Sequence, residues 1–116
     1  MKKIYYLSTC STCKRIMGEI PNLDAFEQQD IKTEAITPEQ LDAMQAVAGS
    51  YEALFSRRAM KFRAQGLHEQ TLTEADYRRL ILEEYTFLKR PVIWVGDQLF
   101  VGSTKKTVAA LLAALA

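Results

Sequence analysis

The chain has 116 residues, of which 48% are hydrophobic, and its 15 basic and 14 acidic side chains leave a formal net charge of +1. This length fits one domain with its own core, the balanced charge argues against direct nucleic-acid binding, and two cysteines three residues apart exclude a secreted disulfide scaffold. The apolar stretches at both ends are too short for a signal peptide or a membrane span, so we expect a cytoplasmic protein that does not bind membranes.

The first third of the chain predicts a β-α-β unit. Residues 4–7 form an apolar, β-branched and aromatic run that is typical of a buried strand. In residues 11–20, Ile16, Met17 and Ile20 recur at helical spacing. Residues 26–31 predict a second strand despite a polar interior. Because such a unit crosses over in the right-handed sense, we expect the two strands to pair in parallel.

The middle of the chain predicts helices. Thr37 and Gln40 form a capping box around Pro38, which indicates a helix start. The predicted buried side chains of this helix are Leu41, Met44 and Val47. Residues 51–65 predict one or two short helices before a break at Gly66. A further helix is capped by Thr73. Its predicted apolar face consists of Tyr77, Leu80, Ile81, Tyr85 and Leu88.

The last quarter predicts a hairpin and a closing helix. Residues 92–95 and 99–101 are the expected strands, joined by a turn at Gly96-Asp97. The expected buried side chains of the closing helix are Val108, Leu111, Leu112 and Leu115. The element order therefore predicts an α/β fold: a thioredoxin-like four-stranded mixed sheet with flanking helices. We predict a single domain over residues 1–116, with a central helical insertion at roughly residues 37–88.

The two cysteines are the candidate reactive groups. Cys10 lies where the first strand ends and the first helix begins, and Cys13 lies about one helical turn further on. A helix N-terminus favours a thiolate through its unpaired N–H groups and partial positive charge, and Lys14 and Arg15 add to that charge. Ordinary cysteines titrate near ~8.5, whereas those at such sites fall to ~3.5–7.5. We expect Cys10 to attack and Cys13 to resolve, because this spacing allows a disulfide without backbone movement.

Other interpretations of the pair exist. A zinc site would need two further ligands, and His68 is the only histidine; a site completed by His68 and a carboxylate is the alternative that this ligand count leaves open. A c-type haem would need a histidine where Lys14 stands. Both cysteines could also serve as small apolar core residues. Their position at a strand-to-helix junction favours redox chemistry, so we expect no bound metal.

Three blocks of the sequence resemble the arsenate reductase (ArsC)/Spx family. The first is residues 4–15, a strand followed by Cys-Ser-Thr-Cys and basic side chains. The second is residues 54–58, Leu-Phe-Ser-Arg-Arg, followed by Phe62. The third is residues 87–93, Phe-Leu-Lys-Arg-Pro-Val-Ile, which runs on to residues 99–102, Leu-Phe-Val-Gly. The blocks cover nearly the whole chain in the family's order, and the Leu-X-Arg-Pro-Val-Ile stretch is the most specific of them.

This resemblance implies roles for five residues. The family's nucleophilic cysteine falls on Cys10, and the second cysteine of Spx-type members, which forms an intramolecular disulfide with the first, falls on Cys13. Glutaredoxin-linked arsenate reductases hold the oxyanion with three arginines, and two of these fall on Arg58 and Arg90. Pro91 matches the proline that is cis in thioredoxin-like folds. A guanidinium fork suits a tetrahedral oxyanion.

The sequence departs from the arsenate reductase pattern at the third arginine, whose place falls at or beside Gly102. Spx-type members also lack this arginine, so the departure bears on arsenate as the substrate and leaves thiol chemistry untouched. The register of the first arginine has a neighbouring alternative, because Arg57 stands directly before Arg58.

The resemblance therefore implies two functions. The first is a thiol-dependent oxidoreductase that acts on a small oxyanion or a disulfide, needs no bound cofactor, and is reset by an external thiol reductant such as glutathione with glutaredoxin, or thioredoxin. The alternative is an Spx-like redox-switched transcriptional regulator that binds the C-terminal domain of the RNA polymerase α subunit. The glycine that serves this contact in Spx falls on Ser50, with Gly49 beside it. A structural metal or interaction module is a third, more distant interpretation.

Overall fold

The sheet is built from the two ends of the chain. The computed structural model describes residues 1–116, and its strands are β1 (Lys2–Tyr6), β2 (Glu27–Asp30), β3 (Val92–Val95) and β4 (Gln98–Val101). They are ordered β2-β1-β3-β4, with β1 and β2 parallel and the other neighbours antiparallel. The predicted four-stranded mixed sheet is therefore confirmed, including the parallel strand with the polar interior.

Residues 1–35 and 90–116 form one compact unit, which we call the sheet unit. It contains α1 (Ser11–Gly18) and α5 (Lys105–Leu115) besides the four strands. Its apolar core consists of Ile4, Ile16, Met17, Ile20, Phe26, Ile93 and Leu111. Of the four side chains predicted to be buried in α5, Leu111 is fully buried and the other three are half-buried.

Residues 36–89 form a second compact unit, the helical unit. Its helices are α2 (Pro38–Ala48), α3 (Met60–Ala64) and α4 (Glu74–Glu83). Capping boxes begin α2 at Thr37 and α4 at Thr73, which confirms both predicted helix starts. Phe55 lies at the centre of this unit, with its ring centroid 4.9 Å from that of Tyr77 and 5.0 Å from that of Phe87. None of the helices in the chain is long and apolar enough to cross a membrane.

The prediction that Val47 is buried is wrong, because its side chain is 50% exposed. An α-helix turns once every 3.6 residues, so two steps of three residues rotate a side chain well away from the starting position. Leu41 and Met44 still face the interior, whereas Ala48 rather than Val47 returns to the buried side and is half-buried. The residue that lies on the same face of α2 as Met44 is therefore four positions further on, and not three.

The predicted apolar face of α4 extends too far. The helix ends at Glu83, and Glu84 adopts an extended conformation with φ −141° and ψ 112°. The Glu84 carboxylate then accepts a hydrogen bond from the Thr86 N–H at 3.5 Å, which starts a separate 3-10 turn over Tyr85–Phe87. Leu88 is buried, but it is buried in a backbone bridge with Phe55 rather than on a helix.

Candidate functional site

The nucleophile candidate Cys10 lies at the N-terminus of α1, directly after the turn that follows β1. The Cys10 N–H donates to the Leu7 carbonyl at 2.9 Å, which closes this turn. The Cys10 backbone is extended, with φ −97° and ψ 110°, and its carbonyl accepts from the Lys14 N–H as the helix begins. The strand-to-helix junction predicted from the sequence is therefore present, with Cys10 as the N-cap residue of the helix.

A second anchor for this turn was not apparent from the sequence. The Ser8 N–H donates to the Oδ1 atom of Asp30 at 3.3 Å, and the Ile31 N–H donates to the Tyr6 carbonyl at 2.9 Å. Both contacts tie the end of β2 to the residues that precede Cys10. Parallel pairing of β1 and β2 brings their carboxyl ends to the same edge of the sheet. Only that pairing, which the chain order suggested, could have indicated Asp30 as a neighbour of the turn.

The environment of Cys10 favours its thiolate. Burial raises the pKa of Cys10, but the backbone N–H and the thiol of Cys13, the positive charge of Arg90 and the backbone N–H of Thr12 together lower it below the ordinary cysteine value. The sulfur does not complete a capping hydrogen bond in the geometric sense. The N–H groups at the helix terminus therefore act on it chiefly as oriented dipoles. Cys10 is partly exposed, so a substrate can reach it.

Cys13 has the opposite character. Its side chain is fully buried, and burial is the largest cause that raises the pKa of its thiol to about 12. Contact with the Cys10 sulfur and the charge on that sulfur raise it further, while the Leu7 backbone and Arg90 oppose the rise. Both cysteines are free thiols in this structure. The pKa of Cys10 therefore lies below the ordinary cysteine value and that of Cys13 lies above it, although the two residues are only one helical turn apart.

Arg90 and Pro91 directly precede β3. The Arg90–Pro91 peptide bond is cis, as the resemblance implies. Pro91 is buried, and its carbonyl accepts a hydrogen bond from the Gly102 N–H at 2.9 Å. Arg90 is half-buried, and its charge acts on both Cys10 and Cys13. The structure thus brings one predicted anion-binding arginine to the thiol pair.

The predicted place of the third arginine has a special backbone. Gly102 has φ +90°, in the left-handed region, and a Cβ added there would meet no heavy atom within 4 Å. There is space for a side chain, but L-residues other than glycine rarely adopt this conformation. The backbone conformation, and not crowding, therefore favours glycine at position 102.

Arg57 and Arg58 lie side by side in the helical unit but have different surroundings. The Arg57 guanidinium donates to a Glu52 carboxylate oxygen at 2.6 Å and to the Tyr77 hydroxyl at 2.9 Å. Arg58 is exposed and makes no ion pair. Arg57 therefore makes local contacts within the helical unit, whereas the exposed guanidinium of Arg58 is not held by an ion pair.

No group of three or more histidine, cysteine, aspartate and glutamate side chains is arranged to hold a metal ion. The nearest charged partner of His68 is Glu69, at 3.7 Å, and its ring lies 6.3 Å from that of Phe62. The zinc alternative requires His68 and a carboxylate to join the cysteines, and this arrangement is not present.

Comparison with known proteins gives a family match and several solved structures of similar fold. A model of the ArsC family matches residues 5–111. A solved YffB protein is 27% identical, with 100% of both chains covered and a TM-score of 0.82. An arsenate reductase (ArsC) related protein from Brucella melitensis is 25% identical, with 96% of this chain and 93% of that chain covered and a TM-score of 0.70.

A more distant likeness extends the agreement in fold. An arsenate reductase from Vibrio cholerae is 15% identical, with 98% of this chain and 97% of that chain covered and a TM-score of 0.79. At this identity the likeness establishes the shared fold alone. No curated protein sequence matches the chain.

Proposed function

The chain belongs to the ArsC family, and we propose from this premise that it is a thiol oxidoreductase in which Cys10 is the nucleophile and Cys13 the resolving cysteine. The observation that carries the proposal is the placement of the two thiols: Cys10 is partly exposed at the N-terminus of α1, and Cys13 is fully buried one helical turn later. The pKa of Cys10 is lowered, whereas that of Cys13 is raised to about 12. Cys10 is therefore the more accessible and the more readily ionised of the two thiols, and Cys13 is the less readily ionised, as a thiol-disulfide cycle with one attacking and one resolving cysteine needs.

The proposed cycle on a disulfide has two exchanges. The Cys10 thiolate attacks one sulfur of the substrate, a mixed disulfide forms, and the other substrate sulfur leaves as a thiolate. Cys10 then carries no charge, so one cause of the raised pKa of Cys13 is removed. Cys13 gives its proton to the departed substrate thiolate or to solvent and attacks the Cys10 sulfur, which closes the Cys10–Cys13 disulfide and releases the second substrate thiolate. The substrate gains two electrons and the protein loses two.

The same residues would serve an oxyanion. Cys10 would replace one oxygen of arsenate, which leaves as water, and attack of Cys13 on the Cys10 sulfur would release arsenite with the electron pair of the sulfur–arsenic bond. We propose that Arg90 and Arg58 bind the oxyanion, since a guanidinium presents a planar fork of donors to such a group. The half-buried Arg90 already acts on Cys10, and the exposed Arg58 has no competing ion pair.

The cycle requires an external reductant, because each turnover leaves both cysteines oxidised. A small thiol or dithiol protein attacks the Cys10–Cys13 disulfide and restores the two thiols. Glutathione with glutaredoxin, or thioredoxin, are the reductants of suitable chemistry. The two thiols supply all the electrons of one turnover, so no bound cofactor is needed.

A second candidate function is a redox-switched transcriptional regulator that binds the C-terminal domain of the RNA polymerase α subunit. Gly102 supports it, because a glycine with φ +90° stands where the third oxyanion-binding arginine would be. The local contacts of Gly49 and Ser50 argue against the regulator function. Gly49 ends α2 with φ +96°, and the Ser50 hydroxyl accepts a hydrogen bond from the Ala53 N–H at 3.0 Å, so both have local structural roles.

Turnover distinguishes the two functions. Arsenate and a small-molecule disulfide would be offered in turn to the reduced protein in a coupled assay that follows oxidation of glutathione or thioredoxin. We expect turnover with at least one of them, reduced by about a thousandfold or more in Cys10→Ser. Cys13→Ser should form the mixed disulfide and stall there, which intact-protein mass spectrometry detects. Absence of turnover, together with redox-dependent binding of the polymerase α domain, would instead establish the regulator.

A further inference from the structure

Asp30 lies at the end of β2, and its carboxylate reaches the turn that carries Cys10. We propose that Asp30 is a positioning residue for Cys10, acting through Ser8 to hold the residue 7–10 turn in the conformation that presents the sulfur to the N-terminus of α1. This inference rests on the proposed role of Cys10 and adds a residue to its support. It assigns Asp30 no contact with the substrate.

Two backbone hydrogen bonds hold this short turn. The Ile31 N–H donates to the Tyr6 carbonyl at 2.9 Å just before the turn, and the Cys10 N–H donates to the Leu7 carbonyl at 2.9 Å across it. Ser8 lies within the turn, and its N–H donates to the Asp30 carboxylate at 3.3 Å. The Asp30 side chain therefore supplies the contact that holds the middle of the turn.

The Asp30 carboxylate is itself held in place. Its Oδ1 atom also accepts from the Lys32 N–H at 3.1 Å, and its backbone carbonyl accepts from the Glu34 N–H at 2.8 Å. The residues after β2 thus wind around Asp30 and fix the direction of its side chain. The hydrogen bond from the Ser8 hydroxyl is the largest cause that lowers the pKa of Asp30, against a smaller opposing effect of burial. The carboxylate is therefore an ionised acceptor throughout the neutral range.

Positioning and charge have opposite effects on Cys10, and this makes the proposal testable. A carboxylate near a thiolate disfavours the thiolate, so loss of the charge alone would make Cys10 more reactive. Loss of positioning would move the Cys10 sulfur away from the N–H groups of Thr12 and Cys13, and Cys10 would become less reactive. Asp30→Asn removes the charge but keeps an oxygen acceptor, whereas Asp30→Ala removes both.

The experiment measures the rate at which iodoacetamide alkylates Cys10 in the reduced full-length protein from pH 5 to 9, with the modified cysteine identified by mass spectrometry. We expect Asp30→Ala to slow alkylation at pH 6 by roughly tenfold, the order of effect of losing one hydrogen bond to a charged group. We expect Asp30→Asn to react at the wild-type rate or faster. Asp24→Ala, which removes an exposed acid from the same unit, should react as wild type does.

Two results would overturn the proposal. Alkylation of Asp30→Ala at the wild-type rate would show that Asp30 does not position the turn, and faster alkylation of both Asp30 variants would show an effect of charge alone. If Asp30→Ala does not fold, as judged by circular dichroism, Asp30→Glu replaces it. Glutamate keeps the charge but moves the carboxylate by one methylene, so slower alkylation supports positioning and an unchanged rate contradicts it. Alkylation needs neither substrate nor reductant, so its outcome is independent of whether turnover is found.

Discussion

The two thiols of the sheet unit and the ion pairs of the helical unit have their pKa values shifted in different ways. In the helical unit, Asp42 accepts two hydrogen bonds from the Arg78 guanidinium, at 2.8 and 3.1 Å, and Lys61 is paired with Glu84. These side chains lie at or near the surface, and their pKa shifts come first from their partners. In the sheet unit, the pKa values of the two thiols are shifted first by burial, and then by neighbouring backbone groups, by each other and by the charge of Arg90.

Under the proposed function, this difference separates pKa shifts that accompany chemistry from shifts that accompany structure. A surface ion pair satisfies both of its members, and neither is left to react. The two thiols have no ion-pair partner of this kind: the pKa of one is lowered and that of the other is raised by burial, by neighbouring backbone groups and by charge, a pattern typical of functional sites. The contrast also explains why Arg58 is of interest: it lies next to Arg57, which is paired, and has no ion-pair partner itself.

The largest expected effect tests whether the helical unit has a core of its own. Phe55 is fully buried and contacts the rings of Phe62, Tyr77 and Phe87. We expect Phe55→Ala to lower the free energy of unfolding by about 3–5 kcal/mol, because the cavity cannot be filled by its stiff aromatic neighbours. Urea denaturation followed by circular dichroism measures this. Val47→Ala, at an exposed site, is the matched control and should change stability by about 0.5 kcal/mol or less.

The second prediction concerns the buried thiol of the sheet unit. Because the folded-state pKa of Cys13 is raised to about 12, the folded protein binds more protons than the unfolded chain between about pH 9 and 12, and stability falls as pH rises through this range. The lowered pKa of Cys10 has the opposite sign: its contribution grows as pH rises from its folded pKa towards the ordinary value.

Reduced wild-type protein should therefore lose up to about 1.4 kcal/mol of stability per pH unit above pH 9 through Cys13. Comparison with Cys13→Ala isolates this contribution, since both proteins carry the same lysines and tyrosines. Denaturation midpoints at pH 8, 9 and 10 under reducing conditions provide the measurement. Parallel pH curves for the two proteins would mean that the Cys13 thiol titrates normally and that burial does not separate the two cysteines.

The third prediction separates the two adjacent arginines. Arg58→Ala should raise KM for an oxyanion substrate about tenfold and leave the melting temperature unchanged, because the exposed guanidinium has no ion pair to lose. Arg57→Ala should lower the melting temperature by about 2 °C, since its contacts with Glu52 and Tyr77 are half-exposed, and should leave KM unchanged. The reverse pattern would assign anion binding to Arg57 and contradict the register used for this block.

The features that could be predicted from the sequence were those decided by neighbouring residues. The capping boxes at Thr37 and Thr73 depend on residues three positions apart, and both helix starts were right. The junction at Cys10 was right for the same reason. The end of α4 was missed because the Glu84 side chain caps the following turn, and residues 85–88 retain the apolar pattern of a continuing helix. Local pattern alone cannot distinguish these two outcomes.

Contacts between side chains that are distant in sequence could not be predicted from the sequence. Asp30 is 22 residues from Ser8 in sequence, and only the parallel pairing of β1 with β2 brings the two together. The partner of Arg57 is equally remote, because Tyr77 is 20 residues away. The opposite pKa shifts of Cys10 and Cys13 depend on how deeply each sulfur is buried, which follows from packing of the whole sheet unit. The motif therefore identified the pair of cysteines as the candidate site, and the fold shows how the surroundings of the two thiols differ.

The smallest expected effect tests whether the ion pairs of the helical unit persist in solution. The Arg78 and Tyr51 side chains lower the pKa of Asp42 to about 2. The stability that this pair contributes should be complete above the ordinary pKa of an aspartate and lost as pH falls through about 2.

Carboxyl carbon chemical shifts, followed by NMR from pH 1.5 to 6, measure the pKa of Asp42 directly. Arg78→Lys keeps the charge but cannot form the two-pronged contact, so the pKa of Asp42 should rise part of the way to its ordinary value. An ordinary pKa for Asp42 in the wild-type protein would mean that solvent competes successfully for this exposed pair. The aromatic core and the helix caps would then stabilise the helical unit without help from this ion pair. The difference between Asp42 and the thiols of the sheet unit would then be one of burial alone.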